Sequence, residues 1–324
     1  MRVLVTGGAG YIGSVVSAQL LADGHEVVVV DDLSTGYADA VPPGAEFHEL
    51  PITALDGVLG DWAIDAAIHF AARSLVGESV SEPAMYWRNN VVGTVALLDS
   101  LRVYGVDRIV FSSTAATYGD PSEQPIREDA PTRPTSPYGS SKTAIDLALG
   151  DYARAYKMST VSLRYFNVAG ALQTTDGTWY GERHAPETHL VPNALRAAAG
   201  GGDALSLFGT DYPTPDGTCV RDYIHVVDLG DAHLRALGVG VPGEHHVINL
   251  GSGTGYSVRQ VLDTVREVTG RDLPVVEVAR RAGDPPVLIA SNERAEAMLG
   301  WTPTRDLRQM VDDAWACARA RNAD

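Results

Sequence analysis

Short apolar runs alternating with longer amphipathic stretches set the expected architecture. Arg2 to Thr6, Val27 to Val30, Ala66 to Phe70, Arg108 to Ser112 and Thr160 to Phe166 are each brief and largely apolar, the pattern of strands buried on both faces. Between them, Val15, Val16, Leu20 and Leu21 repeat at helical spacing, Glu82 to Tyr104 reads as a long helix, and another helix opens near Tyr138. Strand and helix in alternation predict an α/β fold with a doubly wound parallel sheet, which places ligands outside the carboxyl ends of the strands.

The texture changes after Ala169. Residues 170–187 and 200–218 are rich in Gly, Pro, Thr and Asp, with a short helix expected at Leu190 to Ala199 between them. Val226 to Leu237 reads as helix, His246 to Leu250 as a strand returning to the main sheet, and Val258 to Val268 and Leu307 to Arg319 as amphipathic helices. The expected division is a dinucleotide-binding domain at 1–168, with roughly 222–250 returning to it. A smaller C-terminal substrate-binding lobe is expected from 169–221 and 251–324.

Where the first strand ends, Gly7, Gly10 and Gly13 recur every third residue and lead into the first helix. Glycines there permit a tight turn, a close approach of backbone to a pyrophosphate and close helix packing, with the helix N-terminus facing the phosphates. Asp31 ends the second strand, where a carboxylate accepts hydrogen bonds from a ribose 2′-OH and repels a 2′-phosphate. NAD is therefore expected rather than NADP.

Ser136 to Lys142, S-P-Y-G-S-S-K, carries the candidate chemistry. Ser136 suits a helix N-cap and Pro137 the first helical position. Tyr138 and Lys142 then share one helix face, where an ammonium favours the phenolate and makes Tyr138 a usable base. The chain has only two lysines, Lys142 and Lys157, against 13 tyrosines, so the spacing is unlike chance. Thr114, at the end of the strand before this helix, can orient an alcohol between base and cofactor, whereas Ser112 and Ser113 are read as satisfying backbone.

Composition narrows the partners. A 324-residue chain, 45% hydrophobic, buries a large core. Its formal charge of −16 argues against nucleic acid or an anionic membrane as partner. Cys219 and Cys317 give neither a disulfide framework nor zinc-ligand spacing, and no metal is expected in the catalytic role. A soluble cytoplasmic protein is expected.

The motifs T-G-G-A-G-Y-I-G-S, I-H-F-A, V-G-E-S-V, S-P-Y-G-S-S-K, L-R-Y-F-N and F-G-T-D-Y-P-T-P-D-G-T-C-V-R-D-Y-I-H-V-V-D-L resemble, over nearly the whole chain, the UDP-glucose 4-epimerases of the extended short-chain dehydrogenase/reductase superfamily. The resemblance implies a Rossmann-type fold with tightly bound NAD. It implies Tyr138 as base, Lys142 as its partner and a nicotinamide-ribose ligand, and Thr114 as the third group. Tyr11, Ile12, Asp32, Phe70, Ala71, Asn89 and Tyr165 join the glycines and Asp31 as cofactor contacts. On the substrate side it implies Asn167, Arg221 and Arg281 at the pyrophosphate, Phe208 by the uracil, Asp284 at its ribose, and His189 and Leu190 nearby. Three positions depart from the family pattern: Pro51 replaces an Asp near the adenine, Ser74 beside Arg73 replaces a Lys, and Leu288 occupies a site of variable bulk.

The expected activity is reversible C4 epimerisation of a UDP-hexose through a transient 4-keto sugar, by a homodimer paired through the Glu82 to Tyr104 and Tyr138 helices. The N-acetylated sugars remain open as substrates. Dehydratases and decarboxylases of the superfamily carry an acid just after the strand-end Thr, where this chain has Ala115 and Ala116. Eliminating water requires such a group, so that chemistry is disfavoured. A reductase and a non-catalytic NAD-sensing protein stand as alternatives.

Overall fold

In a computed structural model, the structure describes residues 1–56, 59–201, 204–281 and 284–321. Strands β1 (Arg2–Thr6), β2 (Glu26–Asp31), β3 (Glu46–Glu49), β4 (Ala66–His69), β5 (Arg108–Thr114) and β6 (Ser159–Tyr165) form one sheet with a seventh strand, His245–Leu250. The order is His245–Leu250, β6, β5, β4, β1, β2, β3, and every neighbouring pair is parallel. Val3 pairs with Val27 on one side and Ala66 on the other, so the order reverses at β1 and β4. A crevice opens at such a switch point.

Alternate residues of these strands feed two cores. Val3 and Val5, with Val27, Val29 and Ile68, pack against helix α1 (Tyr11–Ala22) and the helix Val226–Val239 through Val16, Leu20, Leu229 and Ala236. Leu4, Val28, Val30 and Phe111 point the other way, onto Leu97, Leu98 and Leu101 and onto Ile145 and Leu149. Burial on both faces explains why the strands read as continuous apolar runs. A third core, in the smaller lobe, joins Val191, Leu195, Val261, Leu262, Val265, Met310 and Val311.

The expected long helix at 82–104 is a chain of three pieces: α-helix Pro83–Tyr86, a π-helical stretch Trp87–Val92, and α-helix Gly93–Val103. Hydrophobic spacing does not distinguish a π turn from an α turn over six residues. The seventh strand returns to the main sheet as expected, but 167–169 and 223–225 pair separately as a two-stranded sheet. In the texture-changed region, Ala171–Gln173 and Trp179–Gly181 form an antiparallel hairpin, and Leu205–Phe208 pairs with Val275–Val278. A helix not anticipated from sequence, Glu293–Leu299, brings Ala295, Leu299 and Trp301 into the core of the larger lobe, although they fall in the stretch assigned to the smaller one. Among the described residues, no helix is long and apolar enough to cross a membrane.

Candidate active site

The crevice is a cleft of about 1080 Å³. One wall begins at the glycine turn. Gly7 has φ +74°, and a Cβ there would sit 2.5 Å from the Ala71 nitrogen, so only glycine lets β1 turn against the end of β4. A Cβ on Gly13 would lie 2.2 Å from the Gly7 carbonyl oxygen, which fixes how closely α1 seats on the turn. Gly10 caps α1 without a side-chain hydrogen bond, and the first-turn N–H groups of such a helix serve an anion. At the tip of β2, Asp31 accepts hydrogen bonds from the N–H groups of Ala9 (3.0 Å) and Leu33 (2.8 Å). Burial raises its pKa, and those two N–H groups oppose the rise. A polar cradle with a carboxylate at the ribose end fits a dinucleotide.

The opposite wall carries Tyr138, Lys142 and Thr114. Ser136 accepts from the Gly139 N–H (3.2 Å) and Pro137 occupies the first helical position, so the helix Pro137–Tyr156 starts where sequence placed it. Lys142 is 2% exposed, donates to the Ser112 carbonyl (2.7 Å) and lies over the Phe111 ring. Thr114 ends β5 and faces the same cleft. Burial raises the Tyr138 pKa, while hydrogen bonding with Thr114 pulls it down. Burial likewise lowers Lys142 to about 7, against an opposing pull from Asp146. In the protein alone, then, desolvation outweighs the ammonium–phenolate attraction expected from helical spacing.

Behind this pair lies a buried polar layer. Asp146, one turn beyond Lys142, accepts from Arg164 Nε (3.0 Å) and Nη2 (2.8 Å) and from Ser113 (3.2 Å). Ser112 hydrogen-bonds Tyr165. Ser112 and Ser113 thus bond side chains, Tyr165 and Asp146, rather than backbone as expected.

Of the residues anticipated as site members, Gly7, Gly10, Tyr11, Ile12, Gly13, Asp31, Asp32, Phe70, Ala71, Asn89, Thr114, Tyr138, Lys142, Tyr165, Asn167, His189, Arg221 and Arg281 all border the one cleft. Tyr11 also donates to the Gly170 carbonyl (2.6 Å), joining the two walls. Leu190, Phe208 and Asp284 do not border it. Leu190 begins the helix Leu190–Ala198 and packs toward the smaller lobe's core. Phe208 lies beneath the Arg281 guanidinium, 4.0 Å from ring centroid to Cζ, and Asp284 pairs with Arg221. Ser74, Arg73 and Leu288 border the cleft, whereas Pro51 caps a short turn whose Ile52 does. Ala115 and Ala116 border it too, so no acid stands beside Thr114.

Sequence reasoning passed over Asn90, which accepts from the Arg73 N–H (2.8 Å) and donates to the Arg73 carbonyl (3.0 Å) and to Ser141 (3.1 Å). It thereby ties the loop after β4 to the Tyr138 helix. Also missed were Glu182 and His184 on the smaller lobe's wall, with Glu187 bonded to His184 and His189 behind them. Burial opposes charging His184, yet hydrogen bonds to Glu182 and Glu187 raise its pKa to about 9; His189 is raised to about 10 on the same balance. The alternation E-R-H-A-P-E-T-H was the available signal.

A doubly wound sheet, a glycine-turned helix at its switch point and a Tyr-Lys pair on the facing wall define an extended short-chain dehydrogenase/reductase. The model of the NAD dependent epimerase/dehydratase family matches residues 3–251. The UDP-glucose 4-epimerase of Corynebacterium glutamicum is 52% identical, over 99% of this chain and 96% of its own. That of Streptomyces lividans is 52% identical over 97% and 95%. The crystal structure of UDP-glucose 4-epimerase from Brucella ovis in complex with NAD superposes with a TM-score of 0.93 at 46% identity, covering 97% of each chain. The chain belongs to the UDP-glucose 4-epimerases of this family.

Proposed function

We propose that the cleft performs NAD-dependent, reversible inversion at C4 of a UDP-hexose, making the protein an isomerase of the UDP-glucose/UDP-galactose pair. The observation that carries this reading is the placement of Tyr138, Thr114 and Lys142 on the wall facing the glycine turn, beside Ala115 and Ala116. NAD, when bound, supplies a hydride acceptor and donor at its nicotinamide ring. Gly7, Gly10 and Gly13 would admit its pyrophosphate at the α1 N-terminus, and Asp31 would accept a hydrogen bond from its ribose. Tyr138 removes the proton of the sugar 4-OH and later returns it, with Thr114 holding that oxygen and Lys142 biasing the phenol. Asn167, Arg221 and Arg281 would hold the diphosphate, which tethers the sugar through the exchange of its two faces. Phe208 and Asp284 act through the arginines they contact. With alanines beside Thr114, a competing elimination lacks its acid.

The division of labour assigns residues 1–168 and 222–250, with 293–301 added by packing, to the nucleotide. The remainder of 169–221 and 251–321 goes to the UDP-sugar; residues 322–324 lie outside the described residues. A homodimer is supported by exposed apolar side chains on the helices expected to pair, among them Trp87, Val92, Val103, Leu147 and Tyr156. Two free buried thiols, Cys219 and Cys317, fit a reducing cytoplasm.

The test is a panel of UDP-glucose, UDP-galactose and their N-acetylated forms, incubated with purified protein and no added cofactor. Interconversion within either pair, lost by about 10²–10⁴-fold in Tyr138→Phe with UDP-sugar binding retained, is the expected result. Near-normal turnover by that variant overturns the assigned base. NADH consumed in proportion to product would favour a reductase, and NAD retained without conversion a sensor.

A further inference from the structure

We propose that Glu182, His184, Glu187 and His189 form a divalent-cation site, of the kind that holds Zn²⁺, on the smaller lobe's wall of the cleft. The inference does not rest on the epimerase reading. All four offer a ligand atom within 4.8 Å of one another, from one eight-residue loop between the strand Trp179–Gly181 and the helix Leu190–Ala198.

The loop is held in that shape by its own backbone. Glu187 Oε1 accepts from the N–H groups of Thr188 (2.7 Å) and His189 (2.8 Å), which turns its carboxylate back over the loop. Arg321 donates to the carbonyls of Glu182 (2.9 Å) and Gly181 (2.8 Å) and anchors the other end. The side chains of Glu182 and Glu187 are only 8% and 11% exposed, so two carboxylates meet with little water. Buried charge of that kind is paired or holds a metal. Arg183, between them in sequence, is committed elsewhere, to Asp39 and the Tyr37 ring.

The four side chains converge closely enough for a cation to displace the protons they share. His189 Nδ1 lies 2.7 Å from Glu182 Oε1 and 2.9 Å from Glu187 Oε1; His184 Nδ1 lies 3.0 Å from the same Glu182 oxygen and 3.7 Å from Glu187 Oε2. Each Nδ1 carries at most one proton, yet each faces two oxygens. Metal–ligand bonds of about 2.0–2.2 Å give a tetrahedron with edges of about 3.3–3.6 Å, so the three shorter separations open by roughly 0.3–0.9 Å when an ion enters. Imidazole nitrogen and carboxylate oxygen both ligate zinc, and two of each suffice for four-coordination. Its occupant would fasten the stretch of wall that carries Thr188 and His189 to the start of the following helix. The competing account is a self-neutralising cluster of two imidazolium and two carboxylate groups with no affinity for metal.

The experiment titrates ZnCl₂ into EDTA-treated, dialysed full-length protein by calorimetry and follows the melting temperature, with His184→Ala and Glu187→Gln alongside. Expected are one Zn²⁺ per chain, a higher melting temperature in the parent on zinc addition, and binding weakened at least about tenfold in both variants. Circular dichroism establishes that each variant is folded before titration. No 1:1 binding by the parent overturns the proposal and supports the ion-pair cluster. Undiminished binding in both folded variants also overturns it, because the zinc then sits elsewhere.

Discussion

Asp146→Asn isolates what the layer behind the Tyr138 helix contributes. The substitution preserves volume but removes the counter-charge of Arg164, whose Nε and Nη2 lie 3.0 and 2.8 Å from Asp146 Oδ2. Both side chains are nearly sealed from water, at 5% and 6% exposure, so solvent cannot replace the lost partner. Leaving one member of such a pair unmatched costs about 3–5 kcal/mol. With an unfolding entropy of about 2.1 cal/mol/K per residue, a 324-residue chain loses roughly 1.5 °C per kcal/mol, giving a drop of about 4–7 °C. Differential scanning calorimetry reads it directly. Replacing both partners, Asp146→Leu with Arg164→Met, removes the stranded charge and should restore most of the loss. Asp146 also raises the Lys142 pKa. Its removal therefore shifts the alkaline limb of the pH–rate profile to lower pH, a change that packing loss alone would not produce. A melting temperature within about 1 °C of the parent, or a double variant no better than the single one, refutes the reasoning.

Three further outcomes follow from the same geometry. Gly13→Ala puts a Cβ 2.2 Å from the Gly7 carbonyl; it should cost about 1–3 kcal/mol and lower co-purified NAD more than tenfold, and full NAD content would refute that role. Lys142 is depressed to about 7 from an ordinary 10.5, so between those values the unfolded chain holds a proton that the folded chain lacks. In cofactor-stripped protein, the stability of the parent relative to Lys142→Met should thus rise from pH 7 to 10 in urea titrations; a flat difference would contradict the burial argument. Leu147→Glu with Val103→Glu places charge on side chains 68% and 59% exposed, and light scattering at micromolar concentration should show a dimeric parent and a monomeric variant. A monomeric parent removes the dimer proposal.

What sequence disclosed here was what spacing controls locally. Ser136, Pro137 and the Tyr138–Lys142 face depend on one helical turn, and the glycine triplet depends on one loop, so both survive translation into coordinates. The contacts of Phe208 and Asp284 depend on distant chain: Phe208 sits on a strand paired with Val275–Val278, and Asp284 meets Arg221 from 63 residues away. No local period encodes those pairings. Leu190 packs toward the smaller lobe's core for a different reason: its position in a motif said nothing about which way the first turn of its helix points.

The same boundary separates the identity of the Tyr138–Lys142 pair from its charge state. Helical spacing places an ammonium near a phenol and so argues for a lowered Tyr138. Desolvation acts on both groups in the opposite sense, and it is produced by side chains that spacing does not reveal, such as Phe111 beneath Lys142 Nζ. Even Asp146, four residues from Lys142 and visible as a helical neighbour, is largely claimed by Arg164 from the adjoining strand β6. A carboxylate so engaged gives its lysine only part of the support that an isolated i, i+4 pair would. The charge state of Lys142 is thus set by burial and by Asp146 together, which is why a substitution at Asp146, outside the cleft, is expected to move the pH dependence of the proposed reaction.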